Sequence, residues 1–369
     1  MKIRILGFVA LALSTALVLS RCGSSSSHPT YNYGGPGSAY TATLNANGTF
    51  TVTHAPSVGA AVDVTVTGTY VRLASGFVKL TIGSITGSVG SNGPAVGDIA
   101  YGMEIPGFAF LLKPMGSGAG DHIIPMVATG SCPTGTLNMN WIVGEKSDSS
   151  DATQTTEDHF GTFTYDSTSA TGNLPAKYAL QGNTSLGAGT VNGLAACSSG
   201  ILSFTGGNIW LTTLGGALVH ASGSGDTSDQ IIIAMPQSTL TAASLTGVYT
   251  GLVFDKANSS NDRIIPVGAT FSNSSGTLTA TGAKVTDVDA GTLSTTDTAA
   301  ISLPASGMNV PSNGFWTGTI TINSLSGAIV CMAADNVASS GKDMMFCIAQ
   351  SPTATPQNST IFNVLLVTK

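Results

Sequence analysis

Four cysteines carry the most specific chemistry in this 369-residue chain. Cys331 and Cys347 stand in two apolar runs, AIVCMAA from Ala328 and MMFCIAQ from Met344, on either side of the polar stretch Asp335 to Asp343. Apolar runs flanking a short polar segment form a hairpin. Pairing Ala334 with Met344 sets Cys331 opposite Cys347, and cross-strand neighbours at a non-hydrogen-bonded position approach closely enough for a disulfide. Cys132 and Cys197 each open a Cys-x-x-Gly-x-Leu sequence at the entry to a strand. They are expected to form the second disulfide, closing a long loop worth about 4 kcal/mol in the chain-entropy model.

Other reactive residue types form no working set. His28, His54, His122, His159 and His220 are scattered, none three or four residues from another ligand in a zinc-like pattern. There is no G-x-S-x-G, no phosphate-binding Gly loop and no H-E-x-x-H. The pair Asp121-His122 has Asp262-Arg263 as its counterpart further on, so the shared Asp has a strand-start role. The polar segment Glu145 to His159 offers Asp148, Asp151, Glu157 and Asp158 for a cation, but their spacing matches no calcium loop, and a solvated loop is expected. Asp287-Val288-Asp289-Ala290-Gly291 lacks the distal Glu of a calcium loop and reads as a turn. Trp141, Trp210 and Trp316 read as core residues rather than a sugar platform. No catalytic residue, metal or cofactor is assigned, and a hydrolase would need a convergent acid and base in a cleft, which is not expected.

Export explains the cysteine chemistry. Residues 1–21 read as a signal segment, with Lys2 and Arg4 before the apolar stretch Phe8 to Leu19. Leu19-Ser20-Arg21-Cys22 follows, then Gly23 and four serines. This resembles the lipobox of bacterial lipoproteins, although Arg21 stands where that pattern carries Gly, Ala or Ser. The resemblance implies a lipid thioether on Cys22 as the mature first residue, a flexible tether over 22–30, and, with Gly23 in place of a retention Asp, an outer-membrane destination. Assigning Cys22 to lipid leaves an even set of four cysteines, as suits an oxidising compartment. Cleavage removes Lys2, Arg4 and Arg21 and no acid, taking the net charge from −6 to −9. With no basic cluster, nucleic acid is excluded as a partner.

The elements that must position these residues are strands. Only 9% of residues are charged while Gly numbers 46. Thr and Val suit a pleated surface and Gly suits tight turns. Val62, Val64 and Val66 alternate with Asp63, Thr65 and Thr67, the period of a half-buried strand. Asn45 to Gly48 reads as a hairpin turn. Other runs, Ile231 to Met235 and Val364 to Val367, are continuously apolar, as in strands buried on both faces. A membrane-spanning barrel is disfavoured, since aromatic residues amount to 7% and cannot form two girdles.

Asp121 to Leu137 recurs without a gap as Asp262 to Leu278, with Ile123-Ile124-Pro125 and Gly135-Thr136-Leu137 repeated as Ile264-Ile265-Pro266 and Gly276-Thr277-Leu278. The expected fold is all-β, antiparallel sandwiches or small β-barrels. Its organisation is an N-terminal β-rich segment over 31–98, free to pack with the next, one module over 99–240, and its duplicate over 244–369. The functional expectation is an envelope protein held to the membrane through Cys22, structural, adhesive or binding in role, with a protein or glycan partner and no catalysis. The alternative is a lipocalin-like carrier of a small apolar ligand, marked by an internal apolar cavity of several hundred Å³.

Overall fold

The computed structural model describes residues 29–35, 40–89, 93–113, 124–128, 132–144, 159–180, 185–204, 207–211, 217–221, 231–237, 240–256, 263–304, 315–322, 325–334, 341–350 and 361–368. Among these, every regular element is a strand, and no helix is long and apolar enough to cross a membrane.

The strands fall into three successive sets of eight. The first set is β1 (Tyr31–Gly35), β2 (Tyr40–Leu44), β3 (Thr49–His54), β4 (Val64–Arg72), β5 (Val78–Gly87), β6 (Ile99–Ile105), β7 (Ala109–Lys113) and β8 (Ile124–Ala128). Each pairs antiparallel with the next, and β8 returns to β1 through Ala128 opposite Tyr33, closing barrel 1. The second comprises β9 (Thr136–Gly144), β10 (His159–Asp166), β11 (Thr171–Ala179), β12 (Gly189–Val191), β13 (Ile201–Phe204), β14 (Gly207–Leu211), β15 (Ala217–Ala221) and β16 (Ile231–Pro236). Here too the first strand pairs with the last, β9 with β16, but no pairing of described residues joins β12 to β13, so the sheet stays open at that seam. Barrel 3 is closed again: β17 (Gly247–Lys256), β18 (Arg263–Ser274), β19 (Thr277–Asp287), β20 (Thr292–Pro304), β21 (Phe315–Ile322), β22 (Leu325–Ala334), β23 (Met344–Gln350) and β24 (Ile361–Thr368), with β24 beside β17.

The all-β barrel architecture is thus shown, and one sequential antiparallel strand order runs through all three units. Two details of the sequence reading are corrected. Residues 99–128, assigned above to the second module, supply β6, β7 and β8 of barrel 1. The expected boundary near residue 98 falls between β5 and β6, which pair within one barrel, and closing the circle removes both sheet edges. The matched segments also hold different places. Ile124–Ala128 is the last strand of barrel 1 and its chain runs on into β9, whereas Ile264 to Leu278 is a hairpin within barrel 3. Segments sharing a strand–turn–strand pattern can serve either place, because that pattern specifies a local hairpin and not its neighbours.

Two-residue periodicity sorts the side chains. In barrel 1, Leu44, Phe50, Tyr70, Leu80, Phe110 and Met126 fill the interior. In β22 and β23, Ile329, Cys331, Ala333, Met345, Cys347 and Ala349 face the interior of barrel 3. Their neighbours Val330, Met332, Ala334, Met344, Phe346 and Ile348 join a separate core shared with Phe77, Met103 and Phe108 of barrel 1 and with Ile142, Phe160 and Met235 of the middle unit. The continuous apolar runs are therefore strands with a barrel interior on one side and a neighbouring unit on the other. Elsewhere the outer faces carry cross-strand hydroxyl pairs, such as Thr67–Ser84 at 2.7 Å, Ser272–Thr279 at 3.0 Å and Thr321–Ser326 at 2.9 Å. Such faces suit water and not a lipid-facing band.

Polar contacts also cross between units. The Thr250 hydroxyl of barrel 3 donates to the Ser75 carbonyl of barrel 1 at 2.5 Å. Asp289, in the β19–β20 turn, accepts from Lys79 and, at 3.3 Å, from Tyr101.

Both disulfides are present. Cys331 faces Cys347 in the β22–β23 register with Cα atoms 4.0 Å apart, fully buried. Cys132 joins Cys197 with Cα atoms 5.8 Å apart, tying the entry to β9 to the connection between β12 and β13, beside the open seam.

Candidate functional site

Each closed barrel is packed at one end and hollow at the other. In barrel 1 the packed end lies where β1 begins. Tyr33 is buried there and its hydroxyl donates to Glu104 Oε1 at 2.8 Å. Arg72 Nε donates to Glu104 Oε2 at 2.6 Å, Nη1 to the Tyr70 hydroxyl at 3.1 Å, and the guanidinium lies 5.0 Å from the Tyr70 ring centre. Glu104 is thereby charge-paired and hydrogen-bonded from two sides, as a carboxylate with a 2% exposed side chain requires. Burial raises the Tyr33 pKa far above the usual phenol range, and the negative charge of Glu104 raises it further. Burial is the largest influence on Arg72 and opposes its charge, but Glu104 and Tyr70 together outweigh it and the guanidinium is held more firmly protonated than usual.

At the other end of barrel 1 is a cavity of about 340 Å³. Phe50, Val52, Val66, Leu80, Ile82 and Leu112 form its apolar wall, drawn from alternate positions of β3, β4, β5 and β7. Its rim is polar. His54 at the end of β3 meets Asp63 just before β4, Nδ1 to Oδ1 at 2.7 Å, and Tyr40 at the start of β2 places its ring 4.9 Å from the imidazole. Burial first, then the charge of Asp63, raises the Tyr40 pKa, so its hydroxyl stays a donor at neutral pH. The β3–β4 connection beyond the rim exposes Val58 and Val62, and the β5–β6 connection exposes Val96.

Barrel 3 repeats the plan. Leu245 and Ala242, in the segment leading into β17, cap its packed end, and the Tyr249 hydroxyl donates to the Leu245 carbonyl at 3.0 Å. The hollow end is a cavity of about 290 Å³ walled by Val253, Ile265, Val267, Ile301, Ile322 and Leu366, with Lys284 and Asp297 its charged lining residues.

The residues singled out in the sequence are distributed as follows. Cys22, His28, Asp121, His122, Asp148, Asp151, Glu157, Asp158 and Asp262 lie outside the described residues. Asp287 accepts the Ala290 N–H at 3.1 Å, a turn closure, and Asp289 bridges to barrel 1. No group of three metal-ligating side chains occurs among the described residues. Trp141, Trp210 and Trp316 are buried. An acid and a base, Asp63 and His54, meet at the rim of barrel 1 because adjacent strands end side by side there. A nucleophile is not engaged: Ser88 and Thr53 line the same cavity, but no described hydrogen bond joins either to His54. Arg72 and Glu104 escaped the sequence reading, although a lone charge at an inward strand position, in step with Tyr70, was the available signal.

No protein-family model matches the sequence, and no curated protein matches it. Among solved structures, a protein of unknown function from the DUF3598 family of Nostoc punctiforme aligns with 63% of this chain and 95% of its own at 8% identity and a TM-score of 0.23. Transferrin-binding protein B of Haemophilus parasuis aligns over 93% of this chain at 8% identity and a TM-score of 0.30, and that of serogroup B Neisseria meningitidis over 89% at 10% identity and a TM-score of 0.30. The chain spans 66% and 65% of those two structures.

Proposed function

We propose that this chain is a lipid-anchored, non-catalytic binding protein of the cell envelope that holds a small apolar ligand in the hollow end of barrel 1. One observation carries the reading. The cavity of about 340 Å³ combines an apolar wall with a few rim groups able to orient a ligand, His54, Asp63 and Tyr40. Small-molecule sites have that composition, and their volumes start at about 300 Å³. The cavity favours the carrier over a purely adhesive or structural module. Attachment through a lipid on Cys22 of the outer membrane follows from the lipobox-like segment, the Ser-rich tether and the even set of remaining cysteines.

Titration of the purified full chain with N-phenyl-1-naphthylamine tests this. Saturable fluorescence enhancement that Val66→Phe abolishes, with the fold intact, is expected; enhancement indifferent to Val66→Phe would reject barrel 1 as the site. A second reading, hydrolysis, is favoured only by the His54–Asp63 pair in the cleft. A fluorophosphonate probe separates the two, since labelling of Ser88 would require a catalytic role.

A further inference from the structure

We infer that the hollow end of barrel 3 is a second ligand site, selective for a single-chain zwitterionic amphiphile whose apolar tail enters the barrel and whose head meets Lys284 and Asp297. This rests on the same carrier reading and extends it to a different ligand class. The cavity opens where β17 ends, as the cavity of barrel 1 opens where β1 ends, so the same topological end is hollow in both barrels. The opposite ends carry plugging contacts instead, Tyr33 to Glu104 in barrel 1 and Tyr249 to Leu245 in barrel 3.

The two mouths differ in charge. At barrel 1 the acid already has its partner in His54. In barrel 3, Lys284 lies opposite Val267 in the β18–β19 register, and Asp297 stands two residues before Ala299, which faces Gly282. Both charges therefore sit on the ring of residues lining the apolar space, from one pair of adjacent strands. No ion pair between them is present among the described contacts. A ligand head covering this rim leaves any unmatched charge partly desolvated, which is unfavourable. An anion satisfies Lys284 and is repelled by Asp297, and a cation does the reverse. A head carrying both charges satisfies both, so the rim selects against singly charged competitors as much as it attracts its own ligand. The tail must be single and short, because about 290 Å³ is at the small end of ligand cavities.

The test is calorimetric titration of the full chain carrying Val66→Phe, which fills barrel 1. Decylphosphocholine, decanoate and decyltrimethylammonium are compared below their micelle-forming concentrations. Decylphosphocholine is expected to bind about three- to fivefold more tightly than either singly charged amphiphile, the scale of a solvent-exposed charge contact. Asp297→Asn should move the preference toward decanoate and Lys284→Gln toward decyltrimethylammonium. Both residues are exposed, so neither change threatens folding. Equal affinity for the three, or charge variants that leave the order unchanged, would overturn the inference. Ala299→Phe separates the two proposals. Naphthylamine binding that survives Ala299→Phe alone, with zwitterion binding lost when Ala299→Phe is added to the Val66→Phe chain, supports both sites. Zwitterion binding that survives in the chain carrying both changes refutes this one, and naphthylamine binding that still depends on Val66 leaves barrel 1 standing.

Discussion

Tyr33 shows how one side chain couples the closed end of barrel 1 to pH. Buried and hydrogen-bonded to Glu104, it keeps its proton in the folded protein at pH values where the unfolded chain has lost it. The folded pKa lies above the unfolded one, so the contribution is complete below about pH 10 and falls as pH rises beyond it. Urea unfolding between pH 8 and 11 should show stability declining above pH 10, with a shallower decline in Tyr33→Phe. Burial raises Tyr165 and Tyr40 as well, so the slope shrinks without vanishing. Residue-scale partnerships were partly legible. His54 and Asp63 flank one strand connection nine residues apart, close enough in sequence to be paired by eye. Arg72 and Glu104 are 32 residues apart and meet only once β4 and β6 are wound into the same barrel.

At the level of strands, register was legible wherever a hairpin is local. The polar stretch between β22 and β23 fixes the pairing of Ala334 with Met344, and Cys331 then has no neighbour across the ladder but Cys347. Closure was not legible, because Ala128 reaches Tyr33 across the whole barrel with no pattern in either strand naming the other. The two disulfides should separate by accessibility. Cys331 and Cys347 are sealed inside barrel 3, while Cys132 and Cys197 are half-buried at a seam. Mild reductant under native conditions, followed by alkylation and peptide mass analysis, is expected to label Cys132 and Cys197 and spare the other pair. Glycines mark where strands press together. A Cβ on Gly318 would stand 1.7 Å from the Ser302 carbonyl oxygen of β20, and one on Gly68 would stand 2.0 Å from that of Thr81 beside a register shift in β4. Gly318→Ala should cost about 1–3 kcal/mol by overpacking, read as a lowered denaturation midpoint.

Across the whole molecule the decisive feature is the core shared by all three units. Val330, Met332 and Phe346 of barrel 3 pack with Ile142 and Phe160 of the middle unit, and Phe160 stacks edge-on against Phe315 at 5.4 Å. Continuous apolar runs announced strands buried on both faces, but they do not say which unit covers the second face. The N-terminal boundary drawn near residue 98 failed for a related reason, since a Gly/Ser-rich loop inside a barrel has the composition of a linker between domains. Units that share a core should melt together. Scanning calorimetry is expected to give one transition with matching calorimetric and van't Hoff enthalpies, and separated transitions would show the units to be independent.

The polarity of the first strand has a consequence for how an anchored molecule would stand. Tyr31 pairs with Leu44, and Thr30 accepts a hydrogen bond from Ala46 in the turn beside it, so the chain enters barrel 1 at the plugged base. With a lipid on Cys22, the plugged base would be the end of barrel 1 nearest the membrane attachment, and the opening of its cavity would be the end farthest along the barrel from it.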